Sequence, residues 1–271
     1  MEQDQNPEAR QGPAAGEGPD GAFGATPAAP AAAATTTASL ARVALVFRAL
    51  GWAFVVFVFG SILWTGLYRF VGPPATLVML ERRIEGADIR RDWRPLDEIS
   101  PELVVAVIAA EDTRFCRHEG LDFKAIGEAV DEARDGKRRR GASTISQQTA
   151  KNAFLWNGGG FARKGVEAWF TLVVETLWPK RRVMEVYLNV AEWGDGLFGA
   201  EAAAQARFGK SAKDLTKREA ALLAAVLPSP NKWRVDPPGP YVQRRAATLR
   251  KRMDQVRRDG LAACVLQDRR V

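Results

Sequence analysis

The sequence contains few of the residues on which metal centres and histidine-dependent triads depend. His118 is the single histidine among 271 residues, and Cys116 and Cys264 are the only cysteines. A two-histidine metal site and an HExxH motif are therefore excluded, and a Ser-His-Asp triad would have to use that one ring. The cysteines lie far apart without the spacing of a zinc site. They could be bridged in an oxidising compartment, but we interpret them as two unpaired thiols.

The N-terminal region has little apolar bulk before one long hydrophobic run. Residues 1–39 are mostly Ala, Gly, Pro and Thr, which cannot offset the entropy of ordering a chain, so we predict a disordered tail over 1–41. Residues 49–68 then carry no charge and would span roughly 30 Å as a helix, the thickness of a bilayer core. We predict a transmembrane helix over 42–71. A buried core helix is the alternative, and the bulky residues that end the run argue against a cleaved signal peptide.

The charge is basic and unevenly distributed. The formal net charge is +7, and the pI is near 9.7. Residues 69–271 hold 36 basic and 27 acidic residues, so this region alone carries +9. Nucleic acid, anionic lipid and a pyrophosphate substrate would each suit such a charge, and composition does not choose among them.

After a linker predicted over 72–95, the pattern becomes helical. Ser100, Pro101 and Glu102 supply an N-cap, a first-turn proline and a first-turn acid, and the helix that follows delivers Glu111 at its C-terminal end. Further helices are predicted over 122–134, 144–152, 161–178, 179–188, 200–208, 216–227 and 241–258. No strand pair with hairpin chemistry stands out. The pattern therefore predicts a mainly α domain over 96–271.

Three stretches carry chemistry, each with an ordinary alternative. In residues 107–129, the adjacent carboxylates Glu111 and Asp112 follow an apolar helix; sheltered from water, one would have a raised pKa and could act as a general base. A charged surface turn would look the same. In residues 141–155, helical spacing puts Thr144, Gln148 and Lys151 on one face, which could bind a sugar and its phosphate or simply be solvated. In residues 163–167, the terminal Arg and Glu could be a surface ion pair.

Together these stretches resemble the glycosyltransferase domain shared by bifunctional penicillin-binding proteins and monofunctional biosynthetic peptidoglycan transglycosylases. The family motifs EDxRFxxHxGxD, GGSTxTQQxxKN, RKxxExxxxxxLE and YLNxxxxGxxxxGxxxAAxxYFGK correspond to residues 111–122, 141–152, 163–175 and 187–210, in that order. A PxPNxW element follows at 228–233, so the resemblance covers about 96–238. The sequence departs from the motifs at Ala142, Ser146, Val174 and Arg207. No charged motif position is lost, so the departures put substrate detail in doubt.

The resemblance implies a mainly α, lysozyme-like glycosyltransferase domain with a small jaw subdomain, plus one N-terminal transmembrane helix. It implies that lipid II and a growing lipid-linked glycan strand are joined through β-1,4 linkages, with inversion at the anomeric carbon and release of undecaprenyl pyrophosphate. Glu111 would be the catalytic base and Glu167 a second catalytic carboxylate of open role. The substrate-binding residues carried over by position are Asp112, Phe115, His118, Ser143, Thr144, Gln148, Lys151, Asn152 and Arg163. No firm cofactor is implied, although a divalent cation, Mg or Mn, could sit at the pyrophosphate.

The same resemblance sets the expected location and partners. We expect a single-pass protein of the bacterial inner membrane, with a cytoplasmic tail and a periplasmic catalytic domain. Other cell wall synthesis or division proteins are candidate partners, and nucleic acid is not. A glycan-cleaving lytic transglycosylase and a membrane-tethered scaffold are the rival interpretations. Ser229 and Lys232 match SxxK formally, but no KTG follows, so a transpeptidase is not expected.

Overall fold

The computed structural model describes residues 31–122, 124, 127 and 143–267. This part of the chain is mainly α-helical, and its strands are only two or three residues long. The helices are α1 (Ala31–Tyr68), α2 (Leu77–Ile84), α3 (Pro101–Glu111), α4 (Ile145–Phe154), α5 (Gly160–Leu177), α6 (Lys180–Val190), α7 (Ala200–Phe208), α8 (Lys217–Val226), α9 (Pro240–Arg258) and α10 (Ala263–Leu266). The strands are β1 (Arg90–Arg91), β2 (Glu192–Gly194) and β3 (Leu197–Phe198). Most of the helix predicted over 122–134 lies outside the described residues, which include only 122, 124 and 127 of that range.

Helix α1 contains the predicted membrane span. It begins at Ala31, inside the segment 1–41 that is predicted to be a disordered tail. Residues 1–30 lie outside the described residues. The Arg42–Tyr68 segment is 27 residues long with a mean hydropathy of 2.2, and its apolar window is not buried in the protein. Among the described helices, only this one is long and apolar enough to cross a membrane.

The C-terminal end of α1 is bound to the α5–α6 junction. The Trp178 indole donates to the Thr65 carbonyl oxygen at 2.8 Å, and the Arg182 guanidinium donates to the Tyr68 carbonyl oxygen at 2.7 Å. The last turn of a helix leaves carbonyl groups short of partners; Arg182 supplies a donor for Tyr68, and Trp178 adds one for Thr65, which also accepts from the Arg69 amide. The final turns of the apolar helix are therefore part of the folded domain.

Helix α3 lies at the centre of the core. The Ser100 side chain accepts from the Glu102 amide, which confirms the predicted N-cap. Every residue from 103 to 109 is buried, because α8 and α9 pack against the helix. A short helix that is apolar on all sides belongs inside a core, so Glu111 at its end is held by rigid structure.

The other helices follow the predicted bounds closely. Helix α7 covers 200–208 as predicted, and α4, α5, α6, α8 and α9 each begin and end within two residues of the prediction. The capping box predicted for α8 is present, with Thr216 accepting from the Glu219 amide and Glu219 accepting in return. A second capping box, Thr144 with Gln147, begins α4. These two capping boxes fix where α4 and α8 begin.

A small sheet corrects the expectation that no strand pair is present. Its order is β1-β3-β2, with β3 parallel to β1 and antiparallel to β2. The β2–β3 hairpin turns at Asp195 and Gly196, an Asp-Gly pair that is typical of hairpin turns. Gly196 has a φ of 69°, and a Cβ there would collide with the Asp88 carbonyl oxygen. The turn signal was in the sequence, but strands this short show no alternation.

The segment 72–95 is not a simple linker. It contains α2 and β1, and Val78 and Met79 of α2 are buried against Phe198 of β3. Thr76 caps α2 by accepting from the Met79 amide. Arg82 also binds Glu192 of β2 through its Nε at 3.0 Å. The folded domain therefore begins well before residue 96.

Candidate active site

Helix α3 presents Glu111 to the start of α4. Glu111 is half-buried at the last position of α3, and Gln148 Nε2 donates to its Oε2 at 2.9 Å. Burial raises the pKa of the Glu111 carboxyl, and the adjacent Asp112 charge raises it further. The Gln148 hydrogen bond and the Arg245 charge act in the opposite direction. Glu111 is thus a carboxylate with increased proton affinity, held in place by an amide donor.

Asp112 binds the N-terminus of α4. Its Oδ2 accepts from the Ile145 amide at 3.1 Å and lies 2.9 Å from His118 Nε2. A carboxylate at a helix N-terminus is stabilised by the unpaired amides and the helix dipole. The side chains of Asp112 and His118 are only 4% and 5% exposed. Asp112 and His118, both predicted to bind substrate, therefore connect α3, the loop after it and α4.

Three other predicted substrate ligands are also buried. Phe115 is fully buried in the core, with Lys180 Nζ 4.5 Å from its ring centroid. Thr144 caps α4 and donates through its hydroxyl to the Gly120 carbonyl oxygen at 2.5 Å. Asn152 is buried on α4. These three side chains lie in the interior of the domain. Ser143, just before the Thr144 cap, is half-buried.

A cationic cluster lies one turn further along α4. Lys151 Nζ donates to Asn157 Oδ1 at 3.3 Å. The positive charges of Arg163 and Lys164 also act on the Lys151 ammonium. Burial lowers the pKa of the Lys151 ammonium, the Arg163 charge lowers it further, and Glu167 opposes the change. Gln148 and Lys151 are three residues apart, about 4.5 Å along the helix axis. One helix therefore carries both the partner of the carboxylate and the first cation.

Glu167 is the anion of this cluster. It is 2% exposed; Arg163 donates to its Oε2 at 2.5 Å and Lys164 donates to its Oε1. The i,i+4 pair of Arg163 and Glu167 is consequently a buried contact, not the surface ion pair of the ordinary alternative. With Lys151, the cluster has three cations to the one carboxylate of Glu167, and Glu192 is a further carboxylate that acts on Lys151.

The cluster does not suit a divalent cation. Both oxygens of Glu167 already accept from cationic donors, and further positive charge would be repelled by Arg163 and Lys164. Among the described residues there is no group of three or more His, Cys, Asp or Glu side chains placed to hold a metal. The residues present do not fit the Mg or Mn ion that the resemblance left open.

Sequence reasoning missed three side chains at this site. Tyr187 is fully buried and donates to Gln148 Oε1 at 3.4 Å; burial, with the charges of Glu111 and Asp112, raises the pKa of its phenol well above the ordinary value. Tyr187 opens the fourth motif, so its position was available as a signal. Asn157, the partner of Lys151, lies between the helices predicted over 144–152 and 161–178. Arg245, on α9, had no sequence signal.

The two cysteines form a disulfide, so the prediction of unpaired thiols was wrong. Cys116 lies in the short 3-10 helix Phe115–Arg117, and Cys264 lies in α10, 148 residues later. The fold brings their Cα atoms to 5.7 Å, within the range of a bridge. Spacing along the sequence carries no information on such a contact. The bridge fixes the loop that holds Asp112 and His118 to the C-terminal end of the domain.

Comparison with known proteins agrees with this site. The family model described as Transglycosylase matches residues 79–256. The chain is 59% identical over 200 residues to a biosynthetic peptidoglycan transglycosylase of Rhodospirillum centenum, covering 73% of this chain and 87% of the relative. Proteins of the same name from Caulobacter vibrioides and Pseudomonas aeruginosa are 53% and 49% identical over 78% of this chain, covering 93% and 94% of their own lengths. The predicted lysozyme-like glycosyltransferase fold is confirmed, and the chain belongs to the transglycosylase family.

Proposed function

We propose that the protein is a peptidoglycan glycosyltransferase of cell wall synthesis, which polymerises lipid II into β-1,4-linked glycan strands. The observation that carries the proposal is the arrangement along α4, where Gln148 binds Glu111 and Lys151 joins a cationic cluster one turn later. A base and an anion-binding group at this separation suit a reaction that deprotonates a hydroxyl and expels a pyrophosphate. The names of the curated relatives agree with this substrate class.

Glu111 acts as the general base in this proposal. The 4-hydroxyl of the incoming lipid II gives its proton to the Glu111 carboxylate while its oxygen bonds to the anomeric carbon of the growing strand. The bond from that carbon to the undecaprenyl pyrophosphate breaks at the opposite face, which inverts the configuration. A base with a raised pKa is the better proton acceptor once ionised, and burial raises the pKa of Glu111.

Lys151 and Arg163 neutralise the departing pyrophosphate. The excess of two positive charges over Glu167 lies where the leaving group would acquire charge, and preorganised charges in a sheltered site stabilise such a transition state strongly. Arg163 donates through Nε to the Gly158 carbonyl oxygen and through Nη1 to Glu167, so we assign its Nη2 to a phosphate oxygen. Because both Glu167 oxygens are bound to cations, we assign Glu167 to positioning Arg163 and Lys164, not to a proton-transfer step.

The protein is proposed to act as a single-pass enzyme with its catalytic domain outside the cytoplasmic membrane. The apolar segment of α1 supports the anchor, and hydrogen bonds from Trp178 and Arg182 hold the end of that helix to the domain. The Cys116–Cys264 disulfide supports an oxidising compartment for the domain, since such bridges are rare in the cytosol. A domain anchored in this way would meet a substrate that is itself anchored by a lipid.

One assay tests the proposal against its glycan-cleaving rival. Purified full-length protein in detergent is incubated either with labelled lipid II or with intact sacculi. We expect glycan polymer and undecaprenyl pyrophosphate from lipid II, and no soluble fragments from sacculi. Release of muropeptides from sacculi without any lipid II polymer would overturn the proposal in favour of a hydrolase or lytic enzyme.

A further inference from the structure

Helix α9 runs antiparallel to α3 and reaches the level of the candidate base. The two helices pack against each other through the buried face of α9, and Arg257, near the end of α9, binds Glu102, near the start of α3, at 2.6 Å. Glu111 lies nine residues after Glu102, about 13.5 Å along its axis. Arg245 lies twelve residues before Arg257, about 18 Å along the other axis. Arg245 therefore stands about one helical turn beyond the level of Glu111.

Arg245 faces inward where its neighbour faces solvent. It lies next to the buried stripe of α9 formed by Val242, Ala246, Leu249, Met253 and Val256. Its side chain is half-buried, and its Nε is buried without a hydrogen-bond partner among the described residues. Arg244, one position earlier, is exposed. The stem of Arg245 thus packs along the buried face of α9, and this packing places its guanidinium on the side of α9 that meets α3.

The charged and titratable groups around Glu111 differ in sign and origin. Asp112 is an anion beside it on the chain, and His118 contacts Asp112 from the next loop. Tyr187 approaches from α6 through Gln148 of α4, and its pKa is raised so that it stays neutral. Among the described residues whose charge shifts the pKa of Glu111, Arg245 is the one that is positively charged. A single fixed positive charge thus opposes the effects of burial and of the adjacent anion on the Glu111 carboxyl.

We propose that Arg245 is a positioning residue of the transferase reaction, whose fixed charge keeps Glu111 ionised in the free enzyme. The inference rests on the proposed function in that Glu111 serves there as the base. Without Arg245, nothing cationic in the described surroundings opposes burial and Asp112. The pKa of Glu111 would then rise further, and a larger share of the enzyme would hold a protonated, inactive base at any pH below that new value.

The test compares two adjacent arginines. For Arg245→Gln, Arg245→Lys and the exposed control Arg244→Gln, kcat/KM for lipid II is measured across pH. We expect the acid limb of Arg245→Gln to move to higher pH, so that its loss relative to wild type is large on the acid side and vanishes above the limb. Arg245→Lys should largely restore the limb, and Arg244→Gln should leave it unchanged. A loss that is uniform in pH, or equal shifts in both Gln variants, would overturn the inference.

A second measurement reads Glu111 without any substrate. Infrared difference spectra against Glu111→Gln isolate the carboxyl band of Glu111, and its intensity is followed across pH in wild type and Arg245→Gln. We expect the band of the protonated form to persist to higher pH in the variant. If wild type fails to polymerise lipid II, the proposed function falls while this titration still judges Arg245. Arg245→Met serves if Arg245→Gln does not fold, and failure of both neutral variants to fold would overturn a purely electrostatic role.

Discussion

The two ends of the site lie along one helix, α4, but the groups they hold carry charges of opposite sign. One end holds the Glu111 carboxylate, and the other holds the Lys151 ammonium. At the Gln148 end of α4, burial pushes Glu111 towards its neutral form, while the Gln148 hydrogen bond and the Arg245 charge oppose it. At the Lys151 end, burial and like charges push the ammonium towards its neutral form, while Glu167 opposes. The first end must gain a proton during the reaction and the second must keep its charge. The raised pKa of Glu111 meets the first demand, and Glu167, which favours the charged form of Lys151, helps to meet the second.

Removing the base should produce the largest effect. Glu111→Gln keeps the shape and the Gln148 contact but cannot accept a proton, so we expect lipid II polymerisation to fall about 10²- to 10⁴-fold. Gel analysis of labelled glycan polymer measures the loss, and circular dichroism checks the fold. The nearby exposed Glu119→Gln is the matched control and should keep wild-type activity. Strand synthesis by Glu111→Gln at a rate near wild type would rule out the base assignment.

Removing a cation tests the other end. Lys151→Ala should lower turnover about 10²- to 10³-fold, the cost of losing one preorganised charge at a developing anion. Lys151→Arg should retain much of the rate and move the basic limb of the pH profile upward, because burial lowers the pKa of Lys151 whereas arginine stays charged.

The exposed Lys213→Ala is the control for charge removal alone. Turnover of Lys151→Ala equal to that of Lys213→Ala would take Lys151 out of the mechanism. A basic limb that stays in place in Lys151→Arg would show that another group sets it.

Replacing Glu167 tests whether the Lys151 end of the site only holds charge or also takes part in proton transfer. If it only orients Arg163 and Lys164, Glu167→Gln should cost about tenfold in turnover, less than Arg163→Ala, because glutamine still accepts a hydrogen bond from Arg163. The pH profile should keep its acid limb, since Glu111 sets that limb. A loss as large as that of Glu111→Gln, together with a displaced limb, would instead restore the second catalytic carboxylate that the resemblance implied.

The disulfide should have the smallest effect on the chemistry and a clear one on stability. Cys116→Ser with Cys264→Ser is expected to lower the free energy of unfolding by about 2–5 kcal/mol, because the bridge closes a long loop. Thermal unfolding with and without reductant measures this, and wild type under reductant should match the double variant. An unchanged Tm in both would mean that the bridge does not stabilise the domain.

Local signals made most helices predictable. Ser100, Thr144 and Thr216 are caps whose chemistry acts within four residues, so the bounds of α3, α4 and α8 could be read directly. Strands β1 to β3 are too short to show alternation, and α2 lies in a segment interpreted as linker. The small jaw subdomain stays a prediction.

The site was only partly predictable for a different reason. Motif spacing named Glu111, Lys151 and Arg163, but it could not show that Phe115 is buried in the core or that Asp112 binds the start of α4. Such facts depend on which elements pack together. Arg245 and the partner of Cys116 depend on contacts between residues more than a hundred positions apart.

The position of the disulfide also sets when it can form during synthesis of the chain. Cys264 is made 148 residues after Cys116, when α3 to α9 have all been synthesised. Cys116 must therefore wait, beside the loop of Asp112 and His118, until almost the whole domain exists. A chain truncated before α10 would carry every motif of the site and yet leave one thiol permanently free for mispairing. The disulfide can therefore form only after the helices that build the site have been synthesised.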